Sequence, residues 1–170
     1  SSLDRSSAAS DVYKRQNLEV AYAHLDESTK SAIEHLSVVH SHDYILSLSS
    51  ELSRRKEQGE YTHLPPVTHP LVRVHPETGK RSLFLSPHTM VGIEQMPDPE
   101  GRALLDRLIE HATTDRFVYR HRWQVHDVIM WDNRCTMHMV MPFDNRFERR
   151  IMHRTTIVGD EAPIAASGSP

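Results

Sequence analysis

A single cysteine, Cys135, is all the thiol that this chain of 170 residues carries. An internal disulfide framework and a cysteine-built zinc cluster are therefore excluded, and such sparing use suits a reducing, cytoplasmic compartment. Long apolar runs are missing too: nothing approaches the roughly 20 consecutive apolar residues that span a bilayer. Neither sign of charge dominates. Lys and Arg number 20 against 23 Asp and Glu, for a formal charge of -3. The two signs are interspersed, so there is neither the basic stripe of a nucleic-acid binder nor an acidic tail. Among 13 histidines the His-Glu-x-x-His spacing of a zinc hydrolase does not occur. What remains is one soluble domain, or a piece of a larger one, whose partner is a small polar molecule and not nucleic acid or membrane.

Residues 1–16, SSLDRSSAASDVYKRQ, have no initiator methionine, little apolar content and no period. They lack the apolar segment of a secretory signal and read as an adapter-like leader outside the fold, with 164–170 as a tail. From Asn17 the apolar spacing becomes helical: Leu18, Val20, Ala21 and Leu25, then Ile33, Leu36 and Val39, predicting two short helices, the second capped by Ser28. Residues 47–61 are polar and aperiodic, and THLPPVTHP adds three prolines, so a long loop is expected there. Two short strands flank the turn HPETGK. Leu104, Leu105, Leu108 and Ile109 stripe an amphipathic helix between Asp98 and His111. FVYRHRWQV, DVIMWD and RRIMHRTTIVG follow as strand candidates. Helices first and strands later, without a βαβ rhythm, predict an antiparallel β core with flanking helices.

His138 sits on a strand-like run, with Arg150 and Arg154 downstream. Non-haem iron takes two histidines and a carboxylate on one face, and an anionic co-substrate needs a guanidinium fork. These are the residue types of such a pocket. On spacing alone a bland reading stays open, in which His138 satisfies a backbone group and the arginines are solvated.

The ordered segments NLEVAYAHL, HPLVRVHPETGKRSLFLS, LLDRLIEHATTDRFVYRHRW and HRWQVHDVIMWDNRCTMHMVMPFDNRFERRIMHRTTIVGD resemble the TauD/TfdA family, the taurine and 2,4-dichlorophenoxyacetate dioxygenases, over residues 17–163. The resemblance implies a double-stranded β-helix, or jelly roll, present here only in part because its N-terminal strands are missing. It implies Fe(II), 2-oxoglutarate as co-substrate and O2, and hydroxylation of a small organic acid; it leaves a homo-oligomeric parent open. By position His138 is similar to the distal iron ligand, Arg150 to the arginine that pairs with the far carboxylate of 2-oxoglutarate, and Arg154 to one near the substrate's acidic group or the co-substrate. Trp131 would line the co-substrate pocket, or serve as a core aromatic. Asp132, Asn133 and Arg134, and the HPETG segment at His75, read as structural turns.

Departures from the family pattern are as informative. The family's upstream strand with its His-x-Asp or His-x-Glu, and its Gly-Gly-Asp-Thr stretch, have no counterpart in this chain, so the resemblance leaves it one iron ligand of three. His42 and Asp43 do not replace them, because neighbours on a strand point to opposite faces. His126 stands where the family has glycine, which alters a tight turn. Met139, Val140 and Met141 make the stretch after His138 unusually apolar. The expectation is thus the C-terminal portion of a dioxygenase, inactive by itself. A non-catalytic β-barrel module that binds a small anion or another protein is the rival.

Overall fold

Short antiparallel strands set the architecture. The computed structural model describes residues 12–59, 61, 63–141, 151–159 and 162–166. In chain order the elements are β1 (Val12–Asn17), α1 (Leu18–Ala23), α2 (Glu27–Ile33), β2 (Ser37–His40), α3 (His42–Ser47), α4 (Ser50–Glu57), β3 (Val67–Pro70), β4 (Val72–Val74), β5 (Arg81–Leu83), β6 (Met90–Ile93), α5 (Asp98–Ala112), a 3-10 turn (Asp115–Phe117), β7 (Val118–Arg122), β8 (Thr136–Val140) and β9 (Ile164–Ala165). The strands form three antiparallel sheets, ordered β7-β1-β8, β3-β2-β6 and β5-β4-β9. The class expected from the sequence, β strands with helices on their flanks, is the one observed.

Both predicted N-terminal helices form. Asn17 caps α1 by accepting from Val20 N at 3.0 Å. The cap of α2 is Asp26 and not Ser28: its carboxylate accepts from Thr29 N at 2.9 Å and from the hydroxyls of Ser28 and Thr29. Val39 belongs to β2 rather than to a helix, since that strand is paired on both sides, with β3 and with β6.

The loop expected at 47–61 contains α4, which buries no side chain and so shows no apolar period. Its support is local. Ser49 caps it, Glu51 pairs with Arg54 at 2.9 Å, and Arg54, Arg55 and Lys56 sit at the negative end of the helix dipole. Gly59, at φ +75, follows as the left-handed stop. The prolines do not forbid pairing either. Pro70 ends β3, an edge strand, where a missing N–H can face away from the ladder.

Two expected strands are absent. Residues 127–132 and 151–159 join no described strand in a backbone ladder, and Val128, Met130 and Ile157 are at least nine-tenths exposed; Arg149 and Arg150 lie outside the described residues. An apolar run becomes a strand only beside a backbone partner. Conversely, strands extend past both boundaries drawn from composition. β1 includes Val12–Gln16, set aside as leader, and β9 lies in the tail, where Ala165 pairs with Arg73 and Ile164 with Val74. β1 has no apolar alternation; ladders on both of its sides hold it.

The core lies between α1, α2, α5 and the strands β2, β4, β5 and β6. On α5 the buried seam is Gly101, Leu105, Leu108 and Ala112, with Leu104 and Ile109 on its margins. A Cβ at Gly101 would lie 3.3 Å from that of Ile93, so this residue sets how closely α5 approaches β6. His111 Nε2 donates to Ala21 O at 2.9 Å, tying the end of α5 to α1.

The turn after β7 carries backbone strain. Asp127 N donates to Gln124 O at 3.1 Å, and His126, third in this turn, has φ 76, the one positive value among described non-glycine residues. A left-handed third residue is the type II pattern, which favours glycine. His126→Gly is expected to raise stability by about 1 kcal/mol, read as a higher urea midpoint; an unchanged midpoint would mean that the turn relaxes. A second prediction concerns His40, buried in β2 against Phe84 and His69, with Nδ1 2.7 Å from Thr89 Oγ1. Burial, helped by His69, pushes its pKa down from 6.5 to about 4. The unfolded chain therefore takes up a proton that the folded chain refuses, and stability present above pH 6.5 is lost as pH falls toward 4. His40→Gln should flatten that part of the stability profile measured by urea unfolding.

Candidate metal and anion site

β1 runs between β7 and β8, so cross-strand register decides which side chains share a face. Arg15 stands opposite Tyr119 on β7 and His138 on β8; Tyr13 stands opposite His121 and Val140. Directly opposed residues point the same way, as do alternate ones along a strand. One face therefore gathers Tyr13, Arg15, Tyr119, His121, His138 and Val140. The opposite face turns Gln16 and Met137 toward the core, where Gln16 is buried and Met137 packs on the core cluster.

Trp131 closes over the first face. The Arg15 guanidinium carbon lies 4.1 Å from the Trp131 ring centroid and 5.5 Å from that of Tyr13. Trp131 meets the His138 ring nearly edge-on at 5.6 Å, and its Nε1 donates to Asn133 Oδ1 at 2.9 Å. Trp123 packs edge-on against Tyr13 and His121. The segment 151–159 crosses nearby: Tyr13 Oη donates to Met152 Sδ at 3.2 Å, and the Arg154 charge is felt at His138. Burial, then Arg15, then Arg154 lower the His138 pKa, which keeps the imidazole neutral near pH 7, the form that binds metal.

Two turns fix this arrangement, and both were expected to be structural. In the HPETG turn His75 Nδ1 accepts from Glu77 N and Thr78 N at 3.2 and 3.3 Å, so Nε2 carries the proton and donates to Asp132 Oδ2 at 3.1 Å. Asp132 also accepts from Arg134 N at 2.7 Å and from its guanidinium, which holds the Asp132 carboxyl well below the usual carboxylate range. Arg73 Nη2 donates to Asn133 O at 2.9 Å. Trp131 and the start of β8 are thereby anchored to the β4–β5 hairpin.

The residues singled out in the sequence divide as follows. His138 and Trp131 come into contact and Arg154 comes close; Arg150 lies outside the described residues. His42 and Asp43 open α3 away from this face, where Asp43 pairs with Lys56 at 2.9 Å and His63 at 3.0 Å. Met139 points to the side opposite His138, whereas Val140 adds apolar surface beside the site. Sequence reasoning missed Arg15, because Val12–Gln16 had been set outside the fold. It also missed His121, whose Nε2 lies 2.8 Å from Asp127 Oδ2.

The residues present do not complete an iron site. The described residues offer a single set of three metal-type ligands, Glu19, His75 and Cys135, with atoms within 4.8 Å of one another, and His138 is not in it. That set is poorly prepared for a metal: both nitrogens of His75 are engaged, and burial with Glu19 and Asp132 pushes the Cys135 thiol up, away from thiolate. Around His138 the charged neighbours that shift it are two guanidiniums, which repel a cation and attract an anion.

The family model described as taurine catabolism dioxygenase TauD, TfdA family matches residues 17–156. An alpha-ketoglutarate-dependent 2,4-dichlorophenoxyacetate dioxygenase of Burkholderia sp. (strain RASC) is 37% identical over 154 residues, 89% of this chain and 50% of that protein. The (S)-phenoxypropionate/alpha-ketoglutarate-dioxygenase of Sphingobium herbicidovorans is 36% identical over 155 residues, covering 88% and 53%. Among solved structures, AAD-2 in complex with Mn(II) and N-oxalylglycine superposes with a TM-score of 0.79 at 40% identity, over 91% of this chain and 60% of that one. The chain spans about half the length of the curated relatives it matches. It belongs to the TauD/TfdA family of dioxygenases.

Proposed function

We propose that this chain is the C-terminal part of an Fe(II)- and 2-oxoglutarate-dependent dioxygenase that hydroxylates a small, anionic organic compound. The observation that carries the reading is the contact of Trp131 with His138 on one sheet face, with the charge of Arg154 acting on that imidazole, in a chain whose relatives are named for alpha-ketoglutarate and aryloxy acids. The parent fold is a jelly roll that these strands build in part, and residues 1–16 lie outside its family portion. A cytoplasmic location fits the single cysteine; no helix among the described residues is long and apolar enough to cross a membrane.

When bound, iron would supply the oxidising chemistry, coupling decarboxylation of 2-oxoglutarate to succinate with hydroxylation of the substrate. The chain's own contribution is binding and orientation. His138 presents a neutral imidazole, braced by the edge of Trp131. Arg150 pairs with the far carboxylate of 2-oxoglutarate, Trp131 walls the co-substrate, and Arg154 draws the substrate's acidic group. One imidazole cannot hold iron against the neighbouring guanidiniums, so the chain by itself does not turn over.

The rival, a module that binds a small anion without catalysis, is favoured by the same cationic face. Succinate release with Fe(II) and 2-oxoglutarate separates the two. The chain alone should release none above buffer, and clear turnover would overturn its assigned incompleteness. In the full-length parent, His138→Ala should abolish metal binding, and Arg150→Ala should raise the 2-oxoglutarate requirement by tenfold or more with metal binding retained. A parent that releases no succinate when metal-loaded would leave the non-catalytic reading standing.

A further inference from the structure

Three described histidines lie within ion-pair distance of a carboxylate: His63 beside Asp43, His75 beside Asp132 and His121 beside Asp127. Their surroundings tell them apart. His63 is largely exposed, and the second ring nitrogen of His75 is taken by backbone N–H groups. The second nitrogen of His121 meets a side-chain hydroxyl: Nδ1 lies 3.3 Å from Tyr119 Oη, while Nε2 lies 2.8 Å from Asp127 Oδ2. Asp127 is fixed by Gln124 N at 2.9 Å, which together with His121 holds its carboxyl below the usual carboxylate range. An ionised carboxylate only accepts, so Nε2 carries the ring proton and Nδ1 presents a lone pair to the Tyr119 O–H. Trp123 packs edge-on against the same imidazole, with ring centroids 4.9 Å apart.

Carboxylate, imidazole and hydroxyl thus stand in the order of a nucleophilic relay, in which a base is oriented by a third group. The hydroxyl at the end of the relay is accessible, since Tyr119 is 60% exposed, whereas His121 and Asp127 are largely covered. Arg15 stands opposite Tyr119 on β1 and within electrostatic reach of it, which places a positive charge beside the oxygen that turns negative as its proton leaves. We propose that Tyr119 is a nucleophile, activated by His121, that accepts an acyl group from an activated ester. The Tyr119 oxygen bonds to the acyl carbon, and the bond from that carbon to the leaving oxygen breaks. The phenolic proton passes to His121 Nδ1 and from there to the leaving oxygen, so the step needs no oxidant and no metal. Asp127 is a positioning residue: it keeps the proton on Nε2 and faces the imidazolium that forms. Because the hydroxyl faces solvent, the donor needs no enclosed cavity to reach it. Neither iron nor 2-oxoglutarate takes part, so this chemistry stands or falls apart from the dioxygenase reading.

The test treats the whole chain with p-nitrophenyl acetate in metal-free buffer and follows acetylation site by site by peptide mass spectrometry. Hydroxylamine then separates acetyl on tyrosine oxygen, which it removes, from acetyl-lysine, which it leaves. Tyr119 should acetylate about a hundredfold faster in the folded chain than in the same chain unfolded in urea, the size of a general-base contribution, and the folded rate should show a solvent deuterium isotope effect. His121→Gln should bring the folded rate down to the unfolded one and abolish the isotope effect. Asp127→Asn, which leaves the ring free to take the other tautomer, should lower the folded rate about tenfold or more. A Tyr119 that reacts no faster folded than unfolded would overturn the proposal, and that comparison needs no variant. An unchanged rate and isotope effect in His121→Gln would overturn it as well.

Discussion

The brace between the His75 turn and the Asp132 turn decides where the candidate site lies. β8 leaves the Asp132 turn directly, and Trp131 is the residue before it, so both move with Asp132. His75 Nε2 and the Arg134 guanidinium hold that carboxylate from two sides, and Arg73 secures the next carbonyl. Charge-assisted hydrogen bonds to a carboxylate are worth about 1.5–3 kcal/mol each when partly buried, more than an exposed ion pair at about 0–1. His75 is nearly fully buried, so its bond belongs to the first class. The hairpin β4–β5, packed on the core, thereby carries its rigidity to a side chain on another sheet.

Electrostatics on that face follow from which side chains β1 brings to it. A buried, unpaired ion costs several kcal/mol, whereas a cation–π contact returns about 0.5–2. Stacking on Trp131 therefore does not offset the burial of Arg15. Burial first, then this charge and that of Arg154, depress His138 and keep it neutral. A neutral imidazole is prepared for a metal, while its cationic surroundings are prepared for an anion. Both conditions can be met only where carboxylates accompany the metal.

Much of the scaffold is legible in the sequence where local physics decides it. The α1 and α5 periods, the turn at Gly79 and the structural roles of His75 and Asp132 follow from apolar spacing and turn chemistry. Elements decided by pairing are not. β3 and β1 carry proline or charge and form because neighbouring strands offer ladders; residues 127–132 are apolar and remain irregular because none does. α4 lacks an apolar face altogether, and its evidence in the sequence was Ser49, Glu51 and Gly59, a cap, a charge pair and a stop. At the site, resemblance located His138 and Trp131, but Arg15 carries no motif: its place depends on the register of a strand that composition had set aside.

The strain at His126 belongs to the same economy of structure. Its turn delivers Asp127 to His121, whose Nε2 lies 2.8 Å from Asp127 Oδ2, and to Gln124 N at 2.9 Å. Among the described residues no carboxylate pairs with Arg15, and the face keeps its positive charge. The turn that holds the left-handed histidine thus closes on β7 through its aspartate, while the cations of β1 and of the segment 151–159 set the charge beside His138.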